Sequence, residues 1–196
     1  MIVGIKSRKS GGKDTAGNYL CQNHNFIKYG FADPLKKGIQ QMFGFSDDQL
    51  WGDKKEIVDP FWGVLPREIL QYAGTELFQF ELPKLIPNFN KIGRSIWVKA
   101  FEKWYYNHME YGSGQNVAII DLRFLHEAKK IKELGGVILE IKRDTLLDDY
   151  SYHASEVELS QIVPDHIIEN NSSLEYLYKN IDIFMKKYAF LNLQHI

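Results

Sequence analysis

The chain is nearly without cysteine: Cys21 is the single thiol in 196 residues, and one thiol can form neither an internal disulfide nor a Cys-based zinc site. That agrees with a reducing cytoplasm. No stretch approaches the roughly 18 consecutive apolar residues of a membrane span, and the basic residues follow the opening Met1-Ile2-Val3-Gly4-Ile5 instead of preceding it, so neither a span nor a secretory signal is expected. Excess charge is missing too. With Lys+Arg at 24 and Asp+Glu at 25, the net charge of -1 offers no global reason for a nucleic-acid or anionic-lipid partner. Any anion must be bound locally. Arginine is scarce: Arg8, Arg67, Arg94, Arg123 and Arg143 are all there are, and because a guanidinium is the better fork for phosphate oxygens, each is worth weighing as a ligand. Histidine offers no metal site, since His126, His153 and His166 have no paired spacing.

What is present suits a folded domain. A hydrophobic share of 44% against 25% charged residues supports a real core, and at roughly 150 residues per domain the length predicts one domain with a small insertion. Ile2 to Lys6 reads as a strand, residues 7–15 as a small-residue loop with basic residues inside it, and the spacing of Ala16, Tyr19 and Leu20 as a helix. Cys21 on that helix reads as core. Asn25 to Phe31 follows as a strand, with Asp33-Pro34 as cap and first-turn proline of another helix. Between about Phe43 and Pro66 the pattern is irregular and reads as a mobile excursion. A helix is expected from Pro66 to Phe80 with Ile69, Leu70, Ala73 and Leu77 on one face, and a second from about Ser95 to Asn107, both packing on a sheet. Val117 to Ile120 is a continuous apolar run of buried-strand type, a helix is expected from Phe124 to Leu134, and Val137 to Ile141 reads as another strand, which makes a βαβ unit. Asp165 to Glu169 and Leu174 to Tyr188 supply a last strand and a closing helix.

Strands that are apolar throughout, alternating with helices, predict an α/β fold: a parallel sheet with helices on both faces, three layers in all. Ligands of such sheets bind at the carboxyl ends of the strands. That rim would carry residues 7–13, Ala32-Asp33, Asp121-Leu122-Arg123 and Arg143.

The loop Ser7-Arg8-Lys9-Ser10-Gly11-Gly12-Lys13-Asp14-Thr15 is a near match to the phosphate-binding pattern G-x-x-x-x-G-K-[ST], in which backbone N–H groups and a helix N-terminus wrap a polyphosphate. It departs twice. Ser7 replaces the first glycine, which is acceptable if its backbone stays out of left-handed space. Asp14 replaces the hydroxyl residue after the lysine; it is either a Mg²⁺ ligand, direct or through water, or a first-turn acid favoured by the helix dipole. Thr15 can still donate its hydroxyl to a phosphate.

The segment Ser10-Gly11-Gly12-Lys13-Asp14-Thr15 resembles the S-G-K-D-T type loop of phage deoxynucleoside monophosphate kinases, and the likeness continues in order along most of the chain. Lys28 to Lys36 is similar to that family's strand-to-helix segment, and Arg67-Glu68-Ile69-Leu70-Gln71-Tyr72-Ala73-Gly74-Thr75-Glu76 to its R-x-x-x-Q-x-x-G-T-[DE] helix. Trp97-Val98-Lys99, Asp121-Leu122-Arg123-Phe124-Leu125-His126-Glu127 and His153-Ala154-Ser155-Glu156 resemble its W-V-K, D-x-R-x-x-x-E and His-x-[ST]-Glu stations.

The resemblance implies a P-loop NTPase fold of NMP-kinase type, with an acceptor-binding excursion at about 43–95 and a short lid at about 143–156. The implied reaction moves the γ-phosphoryl of ATP, with Mg²⁺, onto a deoxynucleoside 5′-monophosphate. Such chemistry needs charge neutralisation more than a strong base. Lys13, Arg67, Arg123 and Arg143 are the expected catalytic residues, with Arg8 and the loop residues 10–15 on ATP. Asp33, Lys36, Arg67, Gln71, Trp97 and Asp121 are expected on the acceptor, where the Gln71 amide can both donate to and accept from a base. Plainer readings stand beside these: Arg67 as a helix-terminal residue paired with a carboxylate, Arg143 as a solvated charge, and Asp33 and Asp121 as caps. Trp51, Trp62 and Trp104 have no motif support as base-stacking residues. Two competing functions remain: a phosphomevalonate-kinase-like phosphokinase, which shares a similar loop and D-x-R motif, and a non-catalytic nucleotide-binding switch, against which no guanine-reading N-K-x-D is present. The expected partners are small nucleotides in a cytoplasm, and a homodimer is left open.

Overall fold

In the computed structural model, residues 1–8, 10–112, 114–144 and 154–193 are described. They form two compact units, Met1–Gly30 with His108–Ile196, and Phe31–Asn107.

The first unit is built on a parallel five-stranded sheet of order β2-β3-β1-β4-β5, made of β1 (Ile2–Lys6), β2 (Phe26–Tyr29), β3 (Asn116–Ile119), β4 (Val137–Lys142) and β5 (His166–Glu169). β1 is central and every residue in it is buried, which is why it reads as an unbroken apolar run. The pleat sends alternate residues to opposite faces. Val3 and Ile5 join Ala118, Leu139, Ile141 and Ile168 beneath α1 (Lys13–Asn23) and the long terminal helix, whose Leu177, Ile181 and Phe184 complete this core. On the other face, space at Gly4 is filled by Ile131 and Leu122, and Ile131 belongs to the helix Leu125–Glu133 between β3 and β4. Helices therefore cover both faces, as the strand composition predicts. Cys21 packs against the first core.

The second unit is helical. It holds α2 (Asp33–Phe43), α3 (Asp47–Leu50), α4 (Pro66–Gln71), a π-helix (Tyr72–Glu81), α5 (Leu82–Leu85) and most of α6 (Ile96–Tyr111). Leu35, Ile39, Phe45, Leu50 and Ala73 are its buried centre, with Ile69, Leu70, Phe78 and Trp97 packed around them. Side chains from the helices after Pro66 thus pack with those of α2 and α3. The single helix expected over residues 66–80 also differs: after Gln71 the winding opens to i→i+5, so the residue that follows Ala73 onto the core is Phe78, while Leu77 is 40% exposed. The irregular excursion contains α3 and a 3₁₀ turn at Asp53–Glu56, and Trp62 Nε1 ties it to the Phe43 carbonyl at 2.8 Å. Asp33 does not cap α2. The N-cap is Ala32, and Asp33 opens the helix itself.

The remaining helices are α7 (Leu125–Glu133), α8 (Ala154–Gln161), for which the sequence offers no helical stripe, and α9 (Leu174–Leu193). No described helix is long and apolar enough to cross a membrane.

Candidate active site

Because every strand of the sheet is parallel, the segments leaving β1, β3, β4 and β5 emerge on one edge: the loop before α1, Asp121 to Arg123, Arg143, and Asn170.

The loop after β1 is shaped by its own backbone. Lys6, though basic, is buried: its ammonium lies 2.8 Å from the Ile162 carbonyl and 3.3 Å from the Glu140 carboxylate. Ser7 Oγ donates to the Arg8 carbonyl at 3.1 Å, and the Gly11 N–H reaches the same carbonyl at 3.0 Å, closing a tight turn. Ser7 keeps out of left-handed space, as its place in the pattern requires, whereas Ser10 adopts φ 62° and Gly12 φ 109°. Only glycine takes the second value without strain. The Ala16 N–H then donates to the Gly12 carbonyl at 2.9 Å and starts α1, so the amides of Lys13, Asp14 and Thr15 lie ahead of the first intrahelical bond, where an anion is favoured. Lys13 Nζ sits 2.6 Å from Asp14 Oδ2.

Beside this junction is a cleft of about 190 Å³ lined by Ser10, Gly12 and Thr15 from the loop and helix, and by Arg143 and Asn170 from the strand ends. Arg143 Nε donates to the Asn170 carbonyl at 3.1 Å. Asn170 was not visible as a site residue in the sequence; its signal is that it follows β5 directly, as Arg143 follows β4. Arg123 is exposed, and its position is set through its main chain by Glu127: Oε2 of this buried carboxylate accepts the N–H of Arg123 at 2.8 Å and of Phe124 at 3.0 Å. Burial, helped by the nearby Asp121, pushes the Glu127 carboxyl up to about 8, against the pull of the two N–H bonds and Arg123. The next amide, Leu125, is taken at 3.2 Å by Glu158 of α8.

Arg8, exposed in the loop after β1, belongs to the first unit, and the remaining expected acceptor residues belong to the second. Arg67, exposed at the start of α4, is paired with Glu56, the plainer arrangement foreseen for it. Gln71 is exposed at the end of the same helix. Asp33 and Lys36 of α2 share a neighbour: Trp51 Nε1 donates to Asp33 Oδ1 at 3.0 Å, and the Lys36 ammonium lies 5.5 Å from the Trp51 ring centre. Trp51 thus stands with two expected acceptor residues although no motif marked it. Trp97 Nε1 donates to the Gly74 carbonyl at 3.0 Å. His153 and nearly all of the lid expected at about 143–156 lie outside the described residues up to α8.

A small-residue loop between the central strand of a parallel sheet and its first helix, with arginines beyond the neighbouring strand ends, is the arrangement of a P-loop kinase fold. A family model described as "Deoxynucleotide monophosphate kinase" matches residues 66–181. The chain is 39% identical over 185 residues, covering 92% of it and 94% of the relative, to the "Putative deoxynucleotide monophosphate kinase" of Acanthamoeba polyphaga mimivirus. It is 26% identical to the deoxynucleotide monophosphate kinase of Escherichia phage RB69, covering 94% and 99%. Among solved structures, shikimate kinase from Aquifex aeolicus aligns at 15% identity over 97% of this chain and 99% of that one with a TM-score of 0.45. Dephospho-CoA kinase from Campylobacter jejuni aligns at 18% over 95% and 96% with a TM-score of 0.48. The chain belongs to the deoxynucleotide monophosphate kinase family and is a kinase.

Proposed function

We propose that the protein transfers the γ-phosphoryl group of ATP to a deoxynucleoside 5′-monophosphate, releasing ADP and the deoxynucleoside diphosphate. The observation that carries the donor half is the backbone of residues 10–16, with left-handed Ser10 and Gly12 leading into the N-terminus of α1; family membership carries the acceptor half. An oxygen of the acceptor's phosphate attacks the γ-phosphorus while the bond to the ADP oxygen breaks. The nucleophile is already anionic, so no strong base is required.

In this reading the loop amides and Lys13 hold the donor's phosphates, and Arg8 covers the donor. Lys13 exchanges its contact with Asp14 for phosphate oxygens. Arg123 and Arg143 neutralise the charge spread over the transferring group, and Asp121 orders the polar groups beside it. Arg67 leaves Glu56 to take the acceptor's phosphate, Gln71 reads its base, and Asp33 and Lys36 contribute to the acceptor side. Trp97 supplies a ring face only, because its N–H is spent on Gly74.

Among the described residues no three His, Cys, Asp or Glu side chains cluster as metal ligands. Mg²⁺ nevertheless fits, because it needs only one or two carboxylates when substrate phosphates complete its shell; Asp14 would hold it, directly or through water, while the Thr15 hydroxyl donates to a phosphate. Bound there, the ion would neutralise phosphate charge. The viral relatives support work on small nucleotides in a host cytoplasm.

The test is ADP formation from ATP and Mg²⁺ with each deoxynucleoside monophosphate, its ribose counterpart and phosphomevalonate. Turnover with one or more deoxynucleotides is expected. Turnover with phosphomevalonate alone, or ATP binding without turnover on any acceptor, would overturn the proposal.

A further inference from the structure

We propose that Asn170 is a positioning residue that locks the plane of the Gly11–Gly12 peptide and thereby aims the Gly12 N–H for the donor's phosphates. The inference rests on the reading of residues 10–15 as the triphosphate site.

A peptide plane between two glycines is poorly determined by sterics. Rotating it changes ψ of the first residue and φ of the second in opposite senses, and where neither carries a Cβ both orientations are open. A phosphate loop cannot tolerate that freedom, because one orientation offers an N–H to the anion and the other offers a carbonyl oxygen. Here the choice is made from outside the loop. Asn170 Nδ2 donates to the Gly11 carbonyl at 2.9 Å, with the donor residue 6% exposed and Gly11 buried. The described peptide bonds contain no cis bond, so the N–H of Gly12 points the opposite way from the Gly11 carbonyl and hence away from Asn170. Flipping the plane would break a buried hydrogen bond and bring the Gly12 N–H toward the donor Nδ2.

The fit is reciprocal. A Cβ at Gly12 would lie 2.5 Å from Asn170 Nδ2, so the amide approaches this closely only because residue 12 is glycine. Asn170 is itself fixed: its N–H donates to the Lys142 carbonyl at 2.7 Å, and its own carbonyl receives Arg143 Nε at 3.1 Å. Both of those bonds use its main chain, so a change of side chain reaches the loop while leaving them in place.

The experiment uses the full chain with Asn170→Asp and Asn170→Ala. Asn170→Asp keeps the shape but cannot donate, and sets a carboxylate against the Gly11 carbonyl; Asn170→Ala removes the group without adding charge. KM is measured separately for ATP and for the preferred deoxynucleotide, and binding of inorganic tripolyphosphate with Mg²⁺ by calorimetry. Both variants are expected to raise KM for ATP and weaken tripolyphosphate about ten-fold, the scale of one buried hydrogen bond, with KM for the acceptor unchanged. Equal rises in both KM values, or unaltered tripolyphosphate affinity in either folded variant, would overturn the assignment. Wild-type protein that fails to bind tripolyphosphate would instead bring down the reading of the loop.

Discussion

Glu127 and Arg123 are joined through the main chain: one buried carboxyl oxygen accepts the Arg123 N–H at 2.8 Å, leaving Arg123 exposed on the sheet edge that carries the loop before α1. The same oxygen takes the Phe124 N–H, so the turn between β3 and α7 is set by a buried side chain.

This arrangement makes stability depend on pH. The Glu127 carboxyl titrates at about 8, against 4.5 for an ordinary glutamate, chiefly because it is buried. Between those values the folded state holds a proton that the unfolded chain has released, so Glu127 makes unfolding progressively easier as pH rises from about 4.5 to about 8. Glu127→Gln accepts the same N–H bonds and does not titrate. Its melting temperature is expected to gain on wild type as pH is raised through this window, read as the difference between paired thermal scans. Parallel curves would remove the argument.

Lys13→Ala is expected to cut turnover by about 10²–10³-fold, the usual scale for deleting one transition-state donor. The melting temperature should stay within a degree or two, because the partner Lys13 loses is the exposed Asp14 carboxylate. Steady-state rates with circular dichroism as the fold control decide it. Retention of most of the activity would count against the loop as the donor site.

Arg67 offers a similar separation. Its pair with Glu56 is about half exposed on each side, and such pairs are worth about 0–1 kcal/mol. Arg67→Ala should therefore leave denaturant midpoints almost unmoved while raising KM for the acceptor or lowering kcat. Unchanged kinetics would leave Arg67 no more than a surface ion pair, and a joint fall of activity and stability would make it a structural residue; either result removes it from the acceptor site.

The strands were legible because a sheet covered on both faces favours apolar residues on both sides of each strand: Val117 to Ile119 is apolar throughout, and Val137 to Ile141 is apolar except at Glu140. The loop was legible for the opposite reason, a break to small and basic residues directly after β1. Asn170 was not, since a single asparagine carries no pattern, and only the fold shows that it reaches Gly11. Glu127 stood in a motif, but a motif does not reveal that its oxygen holds two main-chain amides. That the helices of residues 31–107 form a core cluster with one another was not legible either, because the same apolar stripe on α4 serves any partner. Within it, the phase of residues 72–81 was lost because periodicity counts by three and four, and a π-helix advances by five.

That phase can be tested directly. An α-helical continuation through Gly74 would carry Leu77 onto the core with Ala73, whereas the π-helix delivers Phe78, whose ring stands 5.4 Å from Trp97 in an edge contact. The Gly74 carbonyl is held on this winding by two side chains, Trp97 Nε1 at 3.0 Å and Gln79 Nε2 at 3.1 Å. Gly74 is also hard against Leu35, whose Cδ2 would sit 2.7 Å from an added Cβ. Phe78→Ala is expected to cost about 2–4 kcal/mol. Leu77→Ala, at a site 40% exposed, should cost less than about 1 kcal/mol. Trp97→Phe keeps an aromatic face but loses both the N–H donor and the five-membered ring, so at least about 1 kcal/mol, or roughly 2–4 °C in melting temperature, should go with it. Chemical denaturation of the three variants is the measurement. If Leu77→Ala proved the costlier of the two alanine changes, residues 72–81 would be wound as an ordinary α-helix and the Phe78 contact would be wrong.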